Sequence, residues 1–499
     1  MDTARSAPLT NESAIDLHAV PRMDVDAFRQ AIRHSLAGGG RIASLFGQPV
    51  EGDCVRLYAL LAEDRMGSLS VLCADVKDSY PSLTEWCPQA HWFEREIHEQ
   101  WNIQPLGHPW LKPIRFQVPC RGTGRPNPCG LTDFFRVEGE AIHEVAVGPV
   151  HAGVIELGHF RFQCHGEIVH HLEISLGYQH RGVERALVGG PDKRTIHYME
   201  TLAGDTTIGH AMAYCQAIEA LSRCHIPPRA MALRGVALEL ERIANHVGDL
   251  GALAGDVGFL PTMSYCGRIR GDLLNMTASL CGNRFGRSLV RPGGVSADID
   301  GQTAAQLRRN LEAAAKDIAV SVNLLWNSTS VTARFEDTGT IPPDVCEQIG
   351  LVGPAARASG IDRDVRKDHP FGIYRFAHIP VTTWPGGDVF ARAHVRWLEI
   401  QRSLAFIQNQ LEALPQGPIS AEVGPLAPHR LAVSLTEGWR GEICHVAMTD
   451  AAGRFTRYKV VDPSFHNWFG LVCALRGEQI SDFPLCNKSF NLSYCGHDL

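Results

Sequence analysis

Fifteen cysteines stand in this chain of 499 residues, and no two of them form a Cys-x-x-Cys pair. The closest, Cys120–Cys129, Cys215–Cys224 and Cys486–Cys495, are nine residues apart. Iron–sulfur and zinc sites use tighter spacings, so most of these thiols are expected to be reduced, buried small hydrophobes. His165 and the pair His170-His171 invite a metal reading. Neighbouring residues of a strand point to opposite faces, so surface or packing roles are expected instead. Asp364, Arg366 and Lys367 form a charged turn, which by its charge alone fits a solvated loop.

These residues need elements to position them. The length calls for two or three domains. A net charge of -7 gives no basic excess for nucleic acid, and mean hydropathy is -0.09. No run of eighteen apolar residues exists, so no membrane span is expected. The opening MDTARSAPLTNESAID lacks the apolar segment of a secretory signal, and residues 1–24 are expected to be a flexible lead-in. Residues 25–115 read as a small α/β domain. It has a helix over 24–36, strands over 55–62 and 69–76 with a turn at 65–67, and a second helix over 92–101. Gly122, Gly124, Pro126, Pro128 and Gly130 mark 116–143 as a linker. From 144 to 499 the pattern predicts a mostly helical domain with a small antiparallel sheet. The sheet is placed at 154–158, 160–164 and 168–175. Helices are expected over 206–224, 229–253, 264–281, 304–325 and 388–414, and strands over 431–435, 442–449 and 454–461. The class is α+β.

Several segments carry a resemblance. Gly148-Pro149-Val150-His151 precedes Gly177-Tyr178-Gln179-His180-Arg181-Gly182-Val183-Glu184. Pro227-Pro228-Arg229-Ala230 leads into Leu238-Glu239-Leu240-Glu241-Arg242-Ile243-Ala244-Asn245-His246, and Arg291-Pro292-Gly293-Gly294-Val295 follows. Then come Arg357-Ala358-Ser359-Gly360, Asp364-Val365-Arg366-Lys367 and Leu414-Pro415-Gln416-Gly417-Pro418. In this order they resemble the catalytic large subunits of respiratory complex I and of membrane-bound, energy-converting nickel–iron hydrogenases. Residues 92–97 and 107–109 resemble the complex I subunit that adjoins the large one, which some bacterial enzymes fuse to it.

In the hydrogenases two Cys-x-x-Cys pairs hold the metals. Here the matching stretches are Leu202–His210 and Asn491–His497, with Ala203, Thr206, Ser493 and Gly496 at the ligand positions. Alanine and glycine offer no ligand, and hydroxyls are hard and seldom ionised where soft thiolates are needed. Cys495 lies one residue off, and Cys215 is about two and a half turns away on a helix. No metal is expected. The resemblance places the quinone-binding histidine and tyrosine of complex I at Ile155 and Gly204, and a supporting aspartate at Asp256. The remaining donors are His151, Glu156, His210 and Tyr214. Glu156 matches a proton-relay glutamate, although a hairpin glutamate paired with an arginine is the plainer reading. His180 and Arg181 match a turn beside the iron–sulfur cluster of a partner small subunit, or Arg181 caps the turn structurally. Glu184 matches a magnesium ligand, and one ligand makes no site. The turn of Asp364, Arg366 and Lys367 matches one beside the family's cavity, which implies part of a polar path to the membrane subunits as the alternative to a solvated loop.

The resemblance implies a peripheral subunit on the cytoplasmic side of the inner (plasma) membrane. It would contact an iron–sulfur small subunit and complex I or antiporter-like membrane subunits, and pass electrons to quinone or another acceptor with coupled ion translocation. The alternative is a non-catalytic coupling or scaffold subunit. An active nickel–iron hydrogenase is set aside for want of soft ligands.

Overall fold

The computed structural model describes residues 7–122, 128–153 and 155–499. Near the N-terminus, Asp24 caps the helix Val25–Ala37, its carboxylate accepting the Ala27 N–H at 2.8 Å. Phe28 and Ile32, one turn apart, enter the core. Arg41–Val50, Cys54–Glu63 and Ser68–Val76 form an antiparallel meander, and the helix His91–Trp101 packs on it. Its Trp101 lies over Gly47, where a Cβ would come within 2.7 Å of the indole. The first strand of the meander is not among the strands expected from sequence. Residues 40–47 are all buried, so the strand shows no alternation of apolar and polar positions.

The expectation of a flexible lead-in over 1–24 is corrected for the described residues 7–24. Ala7–Leu9 and Arg22–Met23 join the meander on Ser68–Val76. Ser13–Asp16 pairs with Arg430–Gly438, at the far end of the chain. Asn11 donates to the carbonyls of His369 and Leu435 and accepts the Leu435 N–H. Backbone pairing to an open sheet edge needs no hydrophobic period, which is why the segment resembles a lead-in in sequence.

A second correction concerns the small sheet. Its strands are Ile142–Val147, His159–His165 and Ile168–Ser175. Residues 155–158 form no strand. Ala152 and Gly153 turn the chain in the left-handed region, leaving only an isolated bridge between His151 and Ile155; Val154 lies outside the described residues. Most of Ile142–Val147 lies beyond the expected linker, and its first two residues fall within it.

The helical part follows the predicted pattern. Pro228–Asp256 opens on proline, which lacks the N–H that a first turn leaves unpaired. Leu260–Cys281 and Val389–Glu412 pack along it, and Gly301–Trp326 packs on both of these. Thr207–Ser222 is buried around nearly its whole circumference, because the C-terminal sheet Arg430–Gly438, Gly441–Thr449 and Phe455–Val461 lies against it. Asp462 and Ser493 cap the helices Pro463–Leu475 and Tyr494–Asp498. The fifteen cysteines are free, and eight are buried. No described helix is long and apolar enough to cross a membrane.

Candidate functional site

The stretches 202–210 and 491–497 meet in space, and Arg440 joins them. It sits at the tip of the hairpin between Arg430–Gly438 and Gly441–Thr449. Its guanidinium donates to both carboxylate oxygens of Asp205, at 2.6 and 2.7 Å. It also donates to Thr206 Oγ1 at 3.3 Å and to the Asn491 carbonyl at 2.5 Å, and lies 3.9 Å from the centre of the Trp439 ring. The Asp205 carbonyl accepts from Trp439 Nε1 and Asn245 Nδ2. Asn491, in the left-handed region at φ 46°, donates to Asp249, which also receives Arg396.

Beneath the second stretch lies Asp462. Its carboxylate accepts His210 Nε2–H at 2.9 Å and the Ser464 N–H at 2.8 Å. Burial opposes its charge, but His210 and Arg440 hold its carboxyl below the ordinary range. Gly496 rests directly on it: a Cβ there would stand 2.7 Å from Asp462 Cγ. His210 Nδ1 lies 3.1 Å from His445 Nε2, and His445 Nδ1 lies 2.9 Å from the Tyr458 hydroxyl. With Asp462 accepting only and both imidazoles neutral, the protons line up as Tyr458 to His445, His445 to His210, His210 to Asp462.

The nickel–iron pair does not fit these residues. Ala203, Thr206, Ser493 and Gly496 are buried, Ser493 Oγ is committed to the Gly496 N–H, and Asp462 fills the space a side chain at 496 would need. Cys495 is no substitute. Burial, then the neighbouring Glu156, push its thiol up to about 11, so it stays protonated. Among the described residues no group of three or more His, Cys, Asp or Glu side chains is placed to hold a metal ion.

The other candidates divide. Glu156 reaches the second stretch, where Oε2 accepts the Tyr494 N–H at 3.1 Å; among the described residues no arginine pairs with it. Arg181 donates to the carbonyls of Thr201 and Leu202 at 2.8 and 3.0 Å, steadying the entry to the first stretch. His180 Nδ1 lies 2.7 Å from the Asp498 carbonyl, and burial lowers its pKa. His151 is turned into its own loop, 2.8 Å from the Gly158 carbonyl. Ile155 and Gly204 are exposed and carry no side-chain donor, so the quinone-holding pair does not fit here. Asp256 is exposed at the end of its helix, and no hydrogen bond among the described residues ties it to the loops. Burial raises its pKa, partly offset by Lys488. Tyr214 is buried beside Tyr458. Glu184 is taken up by Lys459 and Arg457, both at 2.9 Å. His171 is buried between Trp110 and Phe135, while His165 and His170 are exposed.

Asp364 and Arg366 are not in a solvated loop. They are buried, in an ion cluster that gathers four carboxylates around three guanidiniums. Arg357 meets Glu399 at 2.8 Å and Glu437 at 2.8 Å. Arg366 meets Asp364 at 2.6 Å and Glu239 at 3.1 Å. Arg242 meets Glu239 at 3.0 Å, and His246 Nε2 donates to Glu399 at 2.9 Å. Only Lys367 remains half exposed, paired with Asp362 and Asp368. Arg440, Asp462 and His445 do not stand out in the sequence. The Gly-Trp-Arg-Gly hairpin tip, Gly438–Gly441, was the one available signal for Arg440, since a short turn projects its residues away from the sheet.

The description "Respiratory-chain NADH dehydrogenase, 49 Kd subunit" fits residues 256–429, and "Respiratory-chain NADH dehydrogenase, 30 Kd subunit" fits residues 27–124. Carbon monoxide-induced hydrogenase of Rhodospirillum rubrum is 31% identical over 350 residues, which cover 70% of this chain and 97% of that protein. The chain belongs to the complex I 49 kDa and hydrogenase large-subunit family. Other family members include formate hydrogenlyase subunit 5 of Escherichia coli (strain K12), 29% identical over 91% of this chain and 84% of its own length. NADH-quinone oxidoreductase subunit 4 of Thermus thermophilus is 31% identical over 67% of this chain and 89% of its own length. Within this family the chain carries the 30 kDa unit and the 49 kDa unit in one polypeptide.

Proposed function

We propose that this chain is the large subunit of a membrane-associated oxidoreductase complex that works without a nickel–iron centre. It takes its place on the cytoplasmic face, between an iron–sulfur small subunit and antiporter-like membrane subunits. Electrons from the partner's cluster pass to quinone or another acceptor, and that transfer is coupled to ion translocation. One observation carries the loss of the metal: the Arg440 guanidinium and the Asp462 carboxylate hold together the two loops that thiolates would otherwise bridge through metal. The chain's own contribution near the loops is to hold a carboxylate, Glu156, against the second stretch, and to fix the first stretch through Arg181.

A second reading, a coupling or scaffold subunit with no electron acceptor of its own, is favoured by the lack of side-chain donors at Ile155 and Gly204. The test is made on the purified complex, by nickel analysis, by reduction of quinone analogues, and by spectroscopy of a reducible cluster. The expected result is no nickel, a reducible cluster and quinone reduction that falls in E156Q. Stoichiometric nickel overturns the proposal. Absence of both quinone reduction and a reducible cluster leaves the scaffold reading, as does full activity of E156Q and R181A with normal assembly.

A further inference from the structure

The ion cluster has one carboxylate too many. Glu239, Glu399, Glu437 and Asp364 face Arg242, Arg357 and Arg366, and among the described residues the only other titratable group paired with these carboxylates besides Tyr374 is His246. All are buried. A buried net negative charge is costly, and the usual resolution is to bind a proton.

The contacts single out which carboxylate binds it. Glu239 accepts from Arg242, Arg366, the Tyr374 hydroxyl and Ser403 Oγ. Glu399 has Arg357 and His246, with Arg242 at 3.7 Å. Asp364 has two guanidinium nitrogens of Arg366 and the Arg366 N–H. Glu437 has one nitrogen of Arg357 at 2.8 Å and the Val365 N–H at 3.0 Å. Its directly opposite neighbour on the next strand is another carboxylate, Glu442, which Arg41 occupies. The other charges acting on it are Asp364, Arg366 and Arg242. It is the least compensated member.

We propose that this cluster is a proton-loading site in which Glu437 carries one exchangeable proton. Solvent is close. Arg363 lines a cleft of about 900 Å³ between the N-terminal unit and the large unit, together with Asp64, Lys367 and Asp368. The next residue, Asp364, is already in the cluster, and Arg357 donates to the Arg363 carbonyl at 2.9 Å. The step is a plain transfer: a hydronium ion from the cleft gives its proton to the Glu437 carboxylate and becomes water, and the carboxylic acid later returns the proton to water; Glu437 itself is buried one layer behind the cleft wall. His246 is not a second seat: its Nδ1 has no hydrogen-bond partner among the described residues, but burial lowers its pKa against the pull of Glu399. The electrostatics agree with the geometry. Burial, then Asp364, raise the Glu437 carboxyl to about 7, whereas Glu239 is held down to about 2 against burial by Arg242 and Arg366.

The site is a property of this chain's charges, and its use in coupling rests on the function proposed above. Infrared difference spectroscopy of the purified complex tests the site. One carboxylic-acid carbonyl band is expected at low pH, declining as pH rises through about 7 and missing in E437Q. In D364N three carboxylates would face three guanidiniums, so the same band is expected to vanish with Glu437 still present. D364N also serves if E437Q fails to assemble. A band unchanged in both variants overturns the proposal. Ions translocated per electron, measured in proteoliposomes, separate the two claims. If the band is lost and translocation is unchanged, the proton site stands and its use in coupling falls.

Discussion

Removing the Arg440 guanidinium should loosen both stretches together. In R440A the two contacts to Asp205, the one to Thr206, the one to the Asn491 carbonyl and the face of Trp439 are all lost. Truncating one partner of a fully buried ion pair costs about 3–5 kcal/mol. The Arg440 side chain is 5% exposed, but that of Asp205 is 33% exposed, so water can take over its carboxylate. The loss is then set mainly by the charged hydrogen bond to Asn491 and the ring contact, about 2–3 kcal/mol. For a chain of this length that lowers the thermal midpoint by about 2–6 °C, according to whether it melts as one cooperative unit or two. Hydrogen exchange is the sharper assay. Peptides spanning 202–207 and 491–497 should exchange faster in R440A, and peptides of the 41–76 meander should not change. R440K keeps the charge and loses the fork, so it should recover roughly half of the stability or less. If R440A leaves exchange in both stretches at the wild-type rate, Arg440 is not what joins them.

The packing at Gly496 gives a paired test. G496A places a Cβ 2.7 Å from Asp462 Cγ and should destabilise by about 1–3 kcal/mol. G204A, whose Cβ would meet nothing within 4 Å, should be close to neutral; urea midpoints distinguish them. Glu239 governs acid behaviour. Burial would raise its pKa, but Arg242 and Arg366 pull it down to about 2 from an ordinary 4.5. Its contribution is therefore complete above about 4.5 and disappears as pH falls towards about 2. E239Q should be less stable than wild type near neutrality, with a shallower loss of stability on acidification. An acid limb of unchanged slope would refute that assignment.

The long helices were legible because their apolar spacing persists over many turns, as in Pro228–Asp256. The C-terminal strands were legible because glycine and polar residues punctuate them. Arg41–Val50 was not, because burial on both faces erases alternation. The motif positions 203, 206, 493 and 496 were readable from the order of the surrounding segments, but what replaced the thiolates was not. Arg440 lies 235 residues from Asp205, and Asp462 lies 252 from His210. Asp364 and Arg366 read as a charged turn because sequence does not reveal that Arg366 meets Glu239 across 127 residues. A charge looks solvated until its buried partner is known.

A metal pair held by four thiolates would tie the start of Thr207–Ser222 to the C-terminal turn. Here Arg440, on a hairpin tip, hydrogen-bonds to both stretches, Asp462, at a strand end, bonds His210 of the first and packs under Gly496 of the second, and Ser493 braces the turn itself. Each has a second duty. Asp462 caps Pro463–Leu475 and holds His210 in one tautomer. Ser493 caps Tyr494–Asp498, and Arg440 anchors both loops at once. Putting a cysteine at 496 therefore requires moving Asp462, which uncaps one helix and leaves His210 without its acceptor. Putting one at 493 uncaps another. The four positions cannot be returned to thiolates one at a time without a loss of stability at each of these two steps. The absence of thiolate ligands at these four positions is thus built into the packing around the loops.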